Sequence, residues 1–415
     1  MTSSSASEPD IPRSFAALHH RGYRPFFIGN VLTMTADSVE HVISYWVMHE
    51  RFDSAALGGF AVISHWVPYL LLSIWSGAMA DRHDARRMIQ FGMGLFMLVS
   101  LGWAVLIATD TLQMWHAMVL LTLHGVAGVF WGPPSQVLIH DIVGGRDLQS
   151  GVRLNATGRW LGMLAGPAVG AGFLLLFGPS WGLVVNAALY LPLALWLWKA
   201  PYGPRFRQGE GPPPRSVRGL ADVVRTFREV RGLPIVMAMV MLAGGASLFI
   251  GNAYQAQMPA FAHDLGHGHM DFTYSALIGA DAAGALLAGL LLESRGLLPP
   301  APRTAFVLAM IWCVAIAGFA LSSWLPLAMA LLFVAGFVEL SFAAMAQTLV
   351  QIHAPPGSRG RIIGVYNMSA MGMRSFSGVT VGLVGGALGI HASLAMAATA
   401  MLIYIVAMRT WLRAR

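Results

Sequence analysis

One cysteine in 415 residues, Cys313, excludes an intramolecular disulfide and any paired-cysteine metal or redox motif. Charge is scarce as well. Asp, Glu, Lys and Arg make up 11% of the chain, under half of what a soluble globular domain carries. Lysine occurs once, at Lys199, so the basic charge is nearly all arginine. No G-x-x-x-x-G-K-[ST] loop is present, which excludes a P-loop nucleotide as energy source, and there is no H-E-x-x-H pair. No enzymatic activity, no cofactor and no bound metal are expected. No cleavable signal peptide is expected either: the polar start turns basic and leads straight into the first apolar run.

What the chain has in abundance is apolar surface. It is 56% hydrophobic with mean hydropathy +0.63. Its apolar runs reach twenty residues and more, enough to cross ~30 Å of hydrocarbon at 1.5 Å per residue. The fold class is therefore an all-α polytopic membrane protein. Charged or Pro/Gly breaks divide the runs into twelve segments, at 25–49, 55–79, 87–108, 114–140, 151–177, 181–199, 233–261, 272–293, 304–322, 325–352, 361–388 and 391–409. The shortest break is Ser-Ser-Trp-Leu at 322–325, kept because the run from 304 to 352 is too long for one helix.

The net charge of +7 does not point to nucleic acid, because the basic residues sit in short blocks between segments. With the N-terminus inside, 23 of the 26 fall on the cytoplasmic side, Arg51 falls outside, and Arg159 and Arg374 fall within segments. That asymmetry predicts cytoplasmic termini in an inner (cytoplasmic) membrane, the arginines facing anionic lipid. The long polar insert, residues 200–232, splits the segments six and six. It predicts an N-terminal half at 1–199, a cytoplasmic linker at 200–232 and a C-terminal half at 233–415. The linker begins rich in Pro and Gly. It ends with Leu220, Val223, Val224, Phe227 and Val230 at helical spacing, a basic amphipathic helix.

Between segments two and three stands Gly77-Ala-Met-Ala-Asp81-Arg82-His83-Asp84-Ala85-Arg86-Arg87. Gly77 permits close helix approach, and Asp81 can accept from the N–H groups of a helix N-terminus. With twelve segments in two halves, this loop resembles the G-x-x-x-D-R-x-G-R-R signature of the major facilitator superfamily. It departs from it at Asp84-Ala85. The stretches 128–143, 147–195 and 347–368 resemble the drug and siderophore exporter branch, the enterobactin exporter and macrolide efflux type. The resemblance covers about residues 25–410. It implies that Asp81 meets segment eleven and that the arginines meet Asp141 at the end of segment four. Gly77, Asp81, Arg82, Arg86, Arg87 and Asp141 would then form an interdomain latch. It also implies a central cavity lined by segments one, four, seven and ten.

Ionisable residues inside segments are functional candidates, since each costs roughly 2.5–3.5 kcal/mol on insertion scales. Asp37, Glu40 and His41 share one face of segment one. Asp281 lies on segment eight, Glu339 on segment ten, Arg159 on segment five and Arg374 on segment eleven. Carboxylates in a poorly hydrated cavity can load and release protons near neutral pH, as coupled transport requires. The arginines are the alternative, static partners of these acids. Asn252, Tyr254 and Gln255 are candidate polar groups of a substrate cavity. His65 and His124 are assigned to hydrogen bonding in the core or cavity. His-Asp-Leu-Gly-His-Gly-His at 263–269 suits a solvated loop as well as a metal. Gly162, Gly166 and Gly170 predict a close-packing face on segment five.

These features predict a monomeric secondary transporter with protons, lipid and a small molecule as partners. It would be a proton-coupled exporter of an amphipathic organic molecule working by alternating access. An importer or exchanger of a polar metabolite or metal chelate is the alternative on the same fold. A non-transporting scaffold is disfavoured, because it gains nothing from charges at mid-span.

Overall fold

The structure, a computed structural model, describes residues 14–52, 55–203, 206, 220–251, 253–266, 270–295 and 297–413. The first six helices are α1 (Tyr23–Phe52), α2 (Ala55–Arg82), α3 (Ala85–Ala108), α4 (Met114–Val143), α5 (Leu148–Ala188) and α6 (Leu191–Lys199). Next come α7 (Leu220–Arg231), α8 (Pro234–Phe249), α9 (Ala253–Ala256) and α10 (Met258–Gly266). The chain closes with α11 (Met270–Ser294), α12 (Pro302–Leu321), α13 (Leu325–His353), α14 (Arg359–Asn367), α15 (Arg374–Leu388) and α16 (Ile390–Arg413).

Among the described residues, seven helical stretches are long and apolar enough to cross a membrane, eight if α7 and α8 count as one span bent by 111°. One of them, residues 148–199, is 52 residues long, ~78 Å at helical rise and too much for one crossing. Gly178, at φ 71 and ψ 175, breaks it ahead of Pro179, so it crosses twice. The break spells Gly-Pro-Ser-Trp-Gly, the spacing of a nucleophile elbow, but it joins two helices rather than a strand and a helix. Helices α1 and α2 have 30 and 28 residues, sufficient length for a crossing each. The described chain thus makes twelve passages in two groups of six, with breaks where the charged and Pro/Gly signals stand. The 322–325 break separates α12 from α13.

Two expected straight segments are not straight. The seventh ends its first helix at Gly251, whose φ is +49 and whose added Cβ would sit 2.3 Å from Ser377 Oγ. The chain restarts as α9 and α10. The eleventh runs as α14, a π-helical turn at Met368–Gly372, and α15. The wider turn leaves the Ala370 carbonyl to accept from Ser247 Oγ at 2.6 Å and Arg374 Nε at 3.2 Å. Discontinuities of this kind stay in a membrane protein where they line a cavity.

Packing follows the small residues. Cβ atoms on Gly162 and Gly166 would lie 2.7 Å from Met34 Cβ and 2.1 Å from Ser38 Cβ, so the glycine face of α5 is spent on α1. A large apolar core runs through the C-terminal group from Val230 to Met408, and two smaller ones fill the N-terminal group. Helix α7 buries Val230 while Val224 and Phe227 remain exposed, as an amphipathic surface helix should.

Candidate functional site

Hydrogen bonds joining the two halves gather at the arginine-rich face. Asp81, 6% exposed at the end of α2, accepts from the backbone N–H of Gly360 and, at 2.9 Å, of Arg361. Both donors belong to the N-terminus of α14, where an anion is favoured. No side chain fits between these helices: a Cβ on Gly77 would lie 2.0 Å from the Gly360 carbonyl oxygen. Arg359 Nη1 stands 3.0 Å from His140 Nδ1 beside this contact.

The arginines of the loop do something other than the resemblance implies. Arg86 Nε donates to both carboxylate oxygens of Asp84 at 2.9 and 3.1 Å, and Nη1 donates to the Ala200 carbonyl. Its guanidinium also lies over Phe206 at 5.2 Å. It makes no contact with Asp141 among the described residues. The reason is local: Asp84, which replaces a small residue of the signature, also caps α3 through the Arg86 N–H at 3.0 Å. Burial alone would raise the Asp84 carboxyl, but the bonds from Arg86 outweigh it and hold it below the ordinary aspartate range. Arg87 donates to Gln90 and lies over Trp198, and Arg82 is exposed.

A second clasp lies on the other side of the same face, where no motif in the sequence marks it. Arg153, on α5, donates to the carbonyls of Leu292 at 3.0 Å, Leu297 at 2.5 Å and Leu298 at 2.6 Å. Ser150 donates to Glu293, and a Cβ on Gly289 would lie 1.9 Å from Thr157 Oγ1. Arg153 had only the look of a topology signal, because its acceptors are backbone carbonyls that sequence does not mark.

Inside these clasps is a cavity of about 570 Å³ lined by both halves, within the usual size for small-molecule sites. Asp37 and His41 of α1, Arg159 of α5, Gln255 of α9, Glu339 of α13 and Arg374 of α15 line it, with Trp66, Tyr69, Trp131 and Trp160 as aromatic walls. Gln136 and Asn367 bridge it with a reciprocal amide pair, 3.0 and 3.1 Å. Asn252 lies outside the described residues, as do 267–269 of the histidine-rich loop. Its His263 contacts Asp264, which in turn meets His391.

Among the described residues, Asp37, Glu40, Asp281 and Glu339 make no ion pair with an arginine. Asp37 and Glu40 are bridged by His124 from α4: Nε2 to Asp37 Oδ1 is 2.8 Å and Nδ1 to Glu40 Oε1 is 2.7 Å. Glu40 is set behind the imidazole, where Ser100 donates to it. On the opposite wall Tyr254 joins the other two acids. Its hydroxyl is 3.1 Å from Asp281 Oδ2 and 3.1 Å from Glu339 Oε2, and Gln255 Nε2 donates to that hydroxyl at 3.2 Å. A phenol has one proton to donate. Two acids can both bond to this oxygen only if one of them carries a proton and donates it. Arg374 stacks over Trp66 at 5.1 Å and feels the charges of Glu339 and Arg159. Arg159 makes no ion pair among the described residues.

Residues 26–378 match the family model described as Major Facilitator Superfamily. The chain is 25% identical over 118 residues to the Staphyloferrin A transporter of Staphylococcus aureus, a match spanning 28% of this chain and 30% of that protein. Similar solved structures include the human organic anion transporter MFSD10 (TETRAN), with TM-score 0.74 and 14% identity, covering 94% of this chain and 99% of that one. A bacterial homologue of the iron transporter ferroportin, in an outward-facing state, has TM-score 0.71 and 15% identity, covering 95% and 100%. The Escherichia coli fucose:proton symporter FucP has TM-score 0.70 and 12% identity, covering 94% and 99%. These likenesses establish the fold, and the family match over most of the chain establishes membership: the chain belongs to the Major Facilitator Superfamily and is a membrane transporter, not an enzyme.

Proposed function

We propose that the protein is a proton-coupled secondary transporter that exports an amphipathic small organic molecule by alternating access. The observation that carries this reading is the Asp281–Tyr254–Glu339 group. It holds an exchangeable proton beside a cavity shared by the two halves, and Glu339 and Arg374 face any cargo there. Cargo that presents an acidic group to Arg159 and Arg374 changes the field at Glu339, and such a change is how cargo and proton are coupled. The aromatic walls suit the apolar part of that cargo. The partial likeness to the Staphyloferrin A transporter supports a siderophore as one member of the class.

In this reading the arginine-rich face is cytoplasmic, both termini lie there, and the protein works as a monomer in an inner membrane. Residues 1–199 and 233–415 are the two rocking halves, and 200–232 tether them. Asp81 with Gly77 forms the latch. Arg82, Arg87 and Asp141 add charge around that latch, while Arg86 is held by Asp84. Flux in proteoliposomes under an imposed pH gradient tests the function. Wild-type protein should move an amphipathic anion against its gradient only when protons run the other way. Tyr254→Phe and Glu339→Gln should lose that dependence, about 10-fold or more in rate. Gradient-independent flux in wild type, or full coupling in both variants, would overturn the proposal.

A further inference from the structure

Three imidazoles meet on the N-terminal wall of the cavity, brought from three helices. His41, His65 and His124 have ring centroids 4.8 Å apart (41–124), 5.0 Å (41–65) and 5.6 Å (65–124). One nitrogen of each lies within 4.8 Å of those of the other two. Asp37 stands among them, with Oδ1 on His124 and Oδ2 3.8 Å from His41 Nδ1.

The second nitrogen of two rings is already spoken for. His41 Nδ1 donates to the Asp37 backbone carbonyl at 2.7 Å, which leaves the lone pair on Nε2. His124 Nδ1 is held by Glu40, Glu40 by Ser100, and Ser100 by Asn186 at 3.2 Å. A carboxylate or carbonyl behind the ring is how ligating histidines are oriented and their basicity raised. His65 supplies the third observation: its Nδ1 is buried and makes no hydrogen bond. A buried ring nitrogen left unbonded is costly, because it has given up its water and gained no partner, and imidazole packing returns nothing polar for it.

We propose that His41, His65, His124 and Asp37 bind a divalent first-row transition-metal ion of the Zn²⁺ or Co²⁺ type. Three neutral imidazoles and one carboxylate oxygen form the donor set such ions take in tetrahedral geometry. Metal–nitrogen bonds of about 2.0–2.1 Å put ligand nitrogens roughly 3.4 Å apart, so the rings close by small side-chain rotations. On binding, the His124 Nε2 proton that now bridges to Asp37 leaves through the cavity to solvent, and Asp37 exchanges that bond for one to the ion. Glu40 stays behind His124 as its support. This site revises the expectation of no metal and lies apart from the histidine-rich loop. It is a binding property and stands independently of the proton-coupling proposal, whose groups are on the opposite wall.

The test uses full-length protein in detergent, purified on a tag without histidine and stripped of metal, titrated with Co²⁺ and then Zn²⁺. Wild-type protein should bind a single Co²⁺ per chain with the visible absorption of a tetrahedral ion, bleached by Zn²⁺. Glu40→Gln should weaken binding roughly 10- to 100-fold and keep the spectrum. His65→Gln leaves the Asp37–His124–Glu40 bonds in place; it should weaken binding further than Glu40→Gln and lose the tetrahedral band. His65→Cys should retain the ion and add a thiolate-to-cobalt band, which separates ligation from a folding defect. Wild-type protein that takes up no cobalt overturns the site. So does unchanged binding in His65→Gln with no thiolate band in His65→Cys, a result that would move the ion to the outer loop around His263.

Discussion

Asp84 shows how one side chain can redirect a motif. Where the signature has a small residue, this chain has a carboxylate that caps α3 and holds Arg86 on its own side of the loop. Asp84→Ala removes the cap and should destabilise the protein by about 1 kcal/mol, read as a lower melting temperature in detergent. The sign of its pH dependence follows from the depressed carboxyl. The contribution is present above the ordinary value of 3.8 and is lost as pH falls beneath it. The wild-type advantage should therefore be full at neutral pH and shrink in strong acid; an advantage unchanged in acid would mean the packing of Asp84 matters and its charge does not. At this scale the sequence told half the story. Asp37, Glu40 and His41 share a helix face, and their spacing is legible. His124, which joins Asp37 to Glu40, stands 84 positions beyond Glu40, and no local pattern ties it to them.

Helix crossings decide which of those side chains can meet. Helices α11 and α13 touch backbone to backbone: a Cβ on Gly336 would lie 2.0 Å from the Asp281 carbonyl oxygen, and one on Gly284 1.9 Å from that of Phe333. That approach brings Asp281 and Glu339 within reach of one phenol, which the break after Gly251 delivers from α9. Gly336→Val has no space to occupy and should overpack the crossing by about 1–3 kcal/mol. It should lower the melting temperature and pull the two acids off Tyr254, so that proton coupling falls further than expression does. Intact coupling in a folded Gly336→Val protein would detach the acids from this crossing. Glycine spacing was readable in α5, where Gly162, Gly166 and Gly170 repeat. In α11 the glycines stand five apart, at 279, 284 and 289, and α13 has only Gly336; neither shows the four-residue repeat, and their role emerges only when the two helices lie side by side.

For the molecule as a whole, the proposed alternating access makes the clasps on the arginine-rich face the contacts that bias one conformation over the other. The α2–α14 contact and the α5–α11 contact join the two halves at that face, and under the proposed rocking both must break. Asp81→Asn keeps one acceptor oxygen but loses the charge, which weakens the hydrogen bonds from Gly360 and Arg361 by about 1–2 kcal/mol in total. That is a shift of roughly 5- to 30-fold toward forms open on this face. Thiol labelling of Ser135→Cys, a cavity residue, in a Cys313→Ser background should speed up accordingly for a reagent added on that side. An unchanged labelling rate would remove Asp81 from conformational control. The sequence by itself determined the helical, membrane-spanning class, the places where one segment gives way to the next and which segments carry the intramembrane charges. It could do so because a bilayer demands a fixed length of apolar helix and leaves every backbone group to be satisfied within it. Only the tertiary structure decided which charges meet: His124 between Asp37 and Glu40, Tyr254 between Asp281 and Glu339, and Arg86 on Asp84. Those pairings depend on how remote helices cross and where two of them break, and such geometry is set by packing across the whole bundle rather than by any neighbouring run of residues.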